Sequence, residues 1–356
     1  MTEQQYIIPK WLQFRKLSPI DSTRSILELT TGQNADQSYQ LTLTHPALTF
    51  LVAFTEPSAI SSAARRSGIA VAEATVLATD LLSHGFLAPY VHASAYHGRY
   101  GRHALYFDMI GIPPLVAQQR TSSSVLTFVG MGGIGTNITS AIIGAGFKEF
   151  RLVDGDCVEL GNLTRQVLYS EKDIGEGKVH TAASVLRKRN RDTKITTYAT
   201  SLTAENAKGI FEGSSLVIVS ADSPRWITSI VYDACSELQV PYCNVGYYNA
   251  IGTVGPIKAP HLHESCLCLE SLRIEELGLE SPIHADAWKL LKFHYQAPSY
   301  GPLNAILGGV AAAEIMSFII GSKSSLIKQH IRIDSANMAV QTIKGCSAPN
   351  CPDKTR

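Results

Sequence analysis

No sign of charge predominates in this sequence. Its 31 lysines and arginines balance 30 aspartates and glutamates, and no long run of one sign occurs. That excludes the electrostatic footprint of a generic nucleic-acid or anionic-membrane binder. The start, MTEQQYIIPKW, lacks a basic segment followed by an apolar core, which argues against a secretory signal and for the cytoplasm. In that reducing compartment the seven cysteines are expected as thiols, and clustered ones point to a metal before a disulfide. Internal repeats and low-complexity tracts are also lacking. The one long apolar stretch, 303–320, is interrupted by Asn304, Glu314 and Gly308-Gly309, so it reads as a buried helix rather than a membrane span.

A chain of 356 residues suffices for one large domain or two ordinary ones. Residues 1–95 read as a separate α+β module. Short strands are expected at 11–17, 25–29 and 39–43, then helices at 46–54, 57–66 and 70–84. The helix pair 58–66 and 71–83, followed by Gly85-Phe86-Leu87, resembles a winged-helix arrangement. Its second helix, VAEATVLATDLLSHG, offers no Lys or Arg to phosphates, so a peptide-docking module is favoured over a DNA reader. An exposed strand edge there would suit β-augmentation by an extended peptide. Residues 96–124 read as a connector, with a Gly-rich basic segment at 96–103 and a short helix after Pro113-Pro114.

From 125 to 356 the pattern changes. Strands at 125–129, 150–153, 194–198, 216–220 and 242–245 alternate with helices at 136–145, 179–189, 203–211 and 226–238. Such alternation predicts an α/β, Rossmann-like, mostly parallel sheet covered on both faces. Antiparallel strand material at 250–260, a helix at 303–320 and a hairpin at 331–334 and 339–343 complete the domain.

The chemistry sits in the first turn of that sheet. Gly130-Met131-Gly132-Gly133-Ile134-Gly135 follows a strand and opens a helix, and Asp154 ends the next strand. Small residues admit a phosphate to the backbone, the helix start presents free N–H groups, and an acid at that distance meets a ribose hydroxyl. This much fits NAD, FAD, S-adenosylmethionine or ATP. The charged residues beyond Asp154 narrow the choice. Arg165 and Lys178 lie past the acid, where hydride transfer has no use for them and a triphosphate does. Asp222, at the carboxyl end of strand 216–220, is placed to hold Mg²⁺ bridging phosphates. The plain alternatives are a helix cap for Asp222, ion pairing for Arg165 and a solvated connector for Arg99 and Arg102. The competing functions are an NAD-dependent oxidoreductase and a non-catalytic nucleotide sensor.

The run VGMGGIG, LVDGDCVELGNLTRQ, DIGEGK and SAD resembles, in order, the adenylating enzymes of the ubiquitin-activating, thiamine- and molybdopterin-cofactor superfamily. NLTRQVLYSEKDIG, VIVSAD, NVGYYNAIGTVGP and the separate leading module look most like its members that modify small ribosomally made peptides in microcin C and pantocin biosynthesis. The resemblance implies that Gly130, Gly132, Gly133 and Gly135 form the nucleotide loop and Asp154 binds the ribose. It implies phosphate contacts for Asn162, Arg165 and Lys178, and Mg²⁺ on Asp222. Arg99-Tyr100-Gly101-Arg102-His103 matches an RYxRQ-like segment, with His103 in place of the usual glutamine. Arg102 would then reach the partner subunit's triphosphate, making a homodimer necessary.

The family often carries two CxxC pairs on structural zinc. Here the spacings are Cys266-x-Cys268 and Cys346-x4-Cys351, a departure that four thiolates, or His261 or His263 in place of one, would accommodate. Cys157, Cys235 and Cys243 read as core or inert. No cysteine falls within 269–300, which argues against thioester transfer to a carrier protein. The expectation is ATP- and Mg²⁺-dependent adenylation of a precursor-peptide carboxyl group, with the first 95 residues clamping the peptide. Adenylation of a ubiquitin-like sulfur carrier is the alternative.

Overall fold

The computed structural model describes residues 3–30, 38–90, 98–259 and 298–344, apart from Arg225, Lys323, Ser325 and Lys328. The chain divides into two compact units, Met1–Ala117 and Gln118–Arg356.

In the first unit, β2 (Gln13–Pro19), β3 (Arg24–Thr30) and β4 (Ser38–Thr44) form an antiparallel sheet with β3 in the middle. Alternation along β3 buries Leu27 and Leu29, and among the described strands β2 and β4 are the edges of this sheet. Thr44 caps α1 (His45–Val52) by accepting from the Ala47 N–H, and Pro46 opens its first turn. Then come α2 (Ile60–Ser67), ended by left-handed Gly68, and α3 (Val71–Ser83). Three short strands, β1 (Gln5–Ile7), β5 (Ser58–Ala59) and β6 (Ala88–Pro89), make a second small sheet. They are too short and irregular to show in the sequence pattern. Phe50, Phe54, Leu29 and the small faces of α2 and α3, Ala63, Ala64, Ala74 and Ala78, fill the core.

The segment expected as a connector is largely helical: α4 (Gly101–Met109) and α5 (Pro114–Ser123). Ala104 and Phe107 are buried, and the Trp11 indole N–H donates to Asp108 Oδ2 at 2.9 Å, tying α4 to the N-terminal unit. The apolar spacing of Ala104 and Phe107 is the one helical signal within this glycine-flanked segment.

The second unit holds an eight-stranded sheet. In chain order its elements are β7 (Val125–Val129), α6 (Gly133–Ile142), β8 (Glu149–Val153), α7 (Lys178–Arg189), β9 (Lys194–Tyr198) and α8 (Ala204–Phe211). Next come β10 (Leu216–Val219), α9 (Ile227–Leu238), β11 (Tyr242–Tyr248), β12 (Ile251–Lys258), α10 (Gly301–Ile320), β13 (Gln329–Asp334) and β14 (Ala339–Lys344). The strand order is β14-β13-β12-β11-β10-β7-β8-β9, parallel from β11 to β9 and antiparallel from β11 to β14. Every residue of β7 and β10 is buried, as central parallel strands require.

One face carries Phe128 and Phe150 beneath α6, α7 and α10, and the Phe150 ring packs against those of both Phe128 and Phe147. The other carries Val129 and Val217 beneath α8 and α9, with Phe211 of α8 in the same cluster. Truncating one of these phenylalanines would cost about 3–5 kcal/mol. Helix α10 is long and apolar enough to cross a membrane by length and composition. Here Leu303, Leu307, Ala311 and Ile315 are buried in the sheet core, and Gly308 lets it close on Asn137 of α6. Its carboxyl end is capped by Arg120, which donates to the Ile320 carbonyl.

Candidate functional site

Parallel register sets the site. Val129 of β7, Val153 of β8 and Val219 of β10 lie level, so Gly130, Asp154 and Ser220 leave the sheet at one edge. Such a carboxyl edge, where a glycine turn meets a helix start, is the usual ligand position in open α/β sheets.

Gly130 has φ +96°, and a Cβ there would lie 2.7 Å from the Ala221 backbone nitrogen, so the turn requires glycine. At Gly135 a Cβ would strike the Gly130 carbonyl oxygen, so this glycine lets the helix close back on the turn. Gly132 caps α6 without any side-chain hydrogen bond, leaving first-turn N–H groups for an anion. Gly133 packs against the Asn304 amide of α10 and the Arg165 side chain.

Asp154 is held by both loops. Its Oδ2 accepts from the Met131 N–H at 2.7 Å and its Oδ1 from the Asp156 N–H at 2.9 Å. The buried Tyr169 hydroxyl donates to the Met131 carbonyl at 2.8 Å, and burial, with the Asp154 charge, raises its phenol far above the ordinary range. A one-turn 3₁₀ segment, Leu160–Thr164, brings Asn162 and Arg165 round to the same edge. Buried Asn162 accepts from the Glu159 N–H at 3.2 Å. Half-buried Arg165 donates to the Gly161 carbonyl at 2.9 Å.

Lys178 opens α7. It is buried and pairs with Asp156 at 2.7 Å, although Asp156 itself faces solvent. Exposed Asp222 lies three residues beyond the end of β10, and no described residue donates to its carboxylate. An exposed carboxylate at that edge fits Mg²⁺, which takes one or two carboxylates and completes its shell with phosphate oxygens and water. Among the described residues no group of three or more His, Cys, Asp or Glu forms a metal cage.

The structure therefore brings Gly130, Gly132, Gly133, Gly135, Asp154, Asn162, Arg165, Lys178 and Asp222 to one unit, around one sheet edge. Arg102 lies on α4 of the other unit and is exposed. Cys266, Cys268, Cys346 and Cys351, with His261 and His263, lie outside the described residues. Cys235 and Cys243 are buried, and burial pushes each thiol up to about 12. Cys157, expected as core or inert, is exposed, because it sits on the loop that bridges to Gly177. Gln166 and Asn304 join the site beyond the residues expected from sequence. A lone asparagine in an otherwise apolar helix is the available signal for the last.

Comparison with known proteins agrees with this geometry. The ThiF family model matches residues 100–353. The sulfur carrier protein adenylyltransferase of Thermus thermophilus is 29% identical over 238 residues, 66% of this chain and 83% of that protein. The SAMP-activating enzyme E1 of Haloferax volcanii is 26% identical over 71% of this chain and 87% of its own length. The chain spans only 50% of the adenylyltransferase and sulfurtransferase MOCS3-1 of Zea mays. Among solved structures, E. coli MccB with succinimide superposes with a TM-score of 0.76 at 23% identity, over 98% of this chain and 99% of that one. PaaA superposes with a TM-score of 0.69 at 20% identity, over 92% and 98%. Family match and site geometry lead to the same conclusion: the chain belongs to the ThiF family of ATP-dependent adenylating enzymes.

Proposed function

We propose that this protein adenylates a carboxyl group on a ribosomally made precursor peptide, in the cytoplasm, as a step of natural-product biosynthesis. The observation that carries the reading is the extent of the fold likeness. It covers 98% of this chain and 99% of E. coli MccB, the N-terminal unit included, whereas the ThiF match begins only at residue 100. MccB has been solved with MccA bound. A sheet with β4 at its edge among the described strands suits an extended peptide, which would add as a further strand and leave its reactive end free.

In this reading the α-phosphorus of ATP lies at the Gly132–Gly133 turn and the ribose on Asp154. The peptide carboxylate attacks that phosphorus. An acyl O–P bond forms, the bond to the β-phosphate bridging oxygen breaks, and pyrophosphate leaves with the electron pair. Mg²⁺, held by Asp222, would neutralise phosphate charge. Arg165 and Lys178 stabilise the developing charge, with a well-placed donor worth about 3 kcal/mol. Lys178 reaches the phosphates by exchanging the Asp156 carboxylate for a phosphate oxygen. Arg102 is assigned to the partner subunit's site, which makes the active form a homodimer. A nucleophile in the same peptide then attacks the acyl carbon, closes a ring and expels AMP, which carries off the carboxyl oxygen and leaves the peptide one water lighter, or the nucleotide itself is retained. Structural zinc on Cys266, Cys268, Cys346 and Cys351 belongs to the same proposal.

The second reading, activation of a sulfur-carrier protein, is favoured by the names of the sequence relatives. It leaves the N-terminal unit without a task. Pyrophosphate exchange distinguishes the two: we expect exchange driven by a short precursor peptide encoded beside the gene and not by a carrier ending in Gly-Gly. Exchange driven by the carrier alone would reverse the choice.

A further inference from the structure

Gln166 carries a polar group that the described residues leave unused. Its side chain is 3% exposed, yet its Oε1 is buried and accepts no hydrogen bond from any described residue. Buried amides are nearly always satisfied, and an apolar side chain of the same size would fill the space without desolvation. The position of this one is specific. Its Nε2 lies 3.8 Å from where a Cβ on Gly132 would sit, at the residue that caps α6. Its backbone N–H donates to the Asn162 carbonyl at 3.0 Å, so the turn that presents Asn162 and Arg165 presents Gln166 as well. Its own carbonyl accepts from the Tyr169 N–H at 3.3 Å, and the Tyr169 hydroxyl in turn holds the Met131 carbonyl of the glycine turn.

We infer that Gln166 is a further nucleotide-binding residue, whose amide hydrogen-bonds the triphosphate at the Gly132–Gly133 turn. The inference rests on the ATP reading of this site. A primary amide carries two N–H donors on Nε2, and Nε2 is the atom beside Gly132, so as placed the donors lie next to an anion seated on the helix start. A neutral donor there adds hydrogen bonding without a further charge beside Arg165 and Lys178.

The test uses the full-length protein with Mg²⁺, titrated calorimetrically with ATP and with adenosine. Gln166→Leu is expected to weaken ATP about tenfold and to leave adenosine within about twofold. The thermal midpoint of the nucleotide-free variant is expected to hold or rise, since the unsatisfied acceptor is gone. Gln166→Glu keeps the shape and adds a negative charge, so its loss of ATP affinity is expected to exceed that of Gln166→Leu, again without loss for adenosine. Unchanged ATP affinity in either variant overturns the inference, as does an equal loss for ATP and adenosine. Wild-type protein that binds ATP while Gln166→Leu binds it equally well overturns the Gln166 assignment alone. Wild-type protein that binds no ATP overturns the site reading with it.

Discussion

Arg165 and Asp222 separate catalysis from folding most cleanly. Both lie at the sheet edge rather than in the core, and Asp222 is exposed. Arg165→Ala and Asp222→Ala are each expected to lower peptide-dependent pyrophosphate release by about 10²–10³-fold. Far-UV circular dichroism should stay unchanged. Full activity in either variant would return these residues to ion pairing or helix capping. His103 makes a different prediction, about pH. Burial lowers its pKa below 6.5, and its Nδ1 is buried without a partner among the described residues. Between the depressed folded value and 6.5 the unfolded chain binds a proton that the folded one does not, so stability rises with pH there. Burial and the Arg332 charge lower His330 in the same direction, so it adds to the trend. Urea midpoints are expected to fall on acidification from about pH 7 to about pH 5, and His103→Gln should flatten part of that slope. An unaltered slope would remove His103 as a source of the pH dependence.

At the scale of elements, the glycine turn is a packing device before it is a binding one. Gly135→Ala drives a methyl group into the Gly130 carbonyl, whereas Gly144 has open space about its Cα. Gly135→Ala is therefore expected to abolish ATP binding and lower the thermal midpoint, and Gly144→Ala to change neither. Equal behaviour of the two in calorimetry would contradict the close approach of helix and turn. The sheet was legible in the sequence because continuous apolar runs such as Val125–Val129, bounded by glycine and by Asp154, have few other readings. The level ends of β7, β8 and β10 then result from parallel pairing, which is why a one-dimensional order of motifs maps onto one edge. Helix α4 was not legible, because its glycine-flanked, basic start masks a short apolar face. Nor was Gln166 or Asn304, since a buried amide against a glycine is a fact of three-dimensional packing without a sequence period. The Lys178–Asp156 pair was hidden for the same reason: 22 residues separate the partners, and backbone pairing of the 156–158 and 175–178 segments brings them together.

For the whole molecule, the proposed reaction requires two subunits and two tasks. If Arg102 completes the partner's site, Arg102→Ala and Asp222→Ala proteins are each inactive alone. Subunit exchange between them builds heterodimers with one intact site and one doubly damaged site. An equal mixture is expected to recover about a quarter of wild-type activity by random pairing. No recovery after verified exchange would place Arg102 in its own subunit's chemistry or outside catalysis. The proposed division of labour, in which a leading unit selects the peptide and a ThiF unit activates its carboxyl group, is tested most directly by one reaction. Purified protein is incubated with Mg²⁺, ATP and the short peptide encoded beside its gene, and the products are weighed by mass spectrometry. Peptide adenylation predicts pyrophosphate formed in step with either AMP and a dehydrated peptide, or a peptide–nucleotide adduct. ATP left unchanged by the peptide but consumed with a Gly-Gly-terminated carrier protein would contradict it.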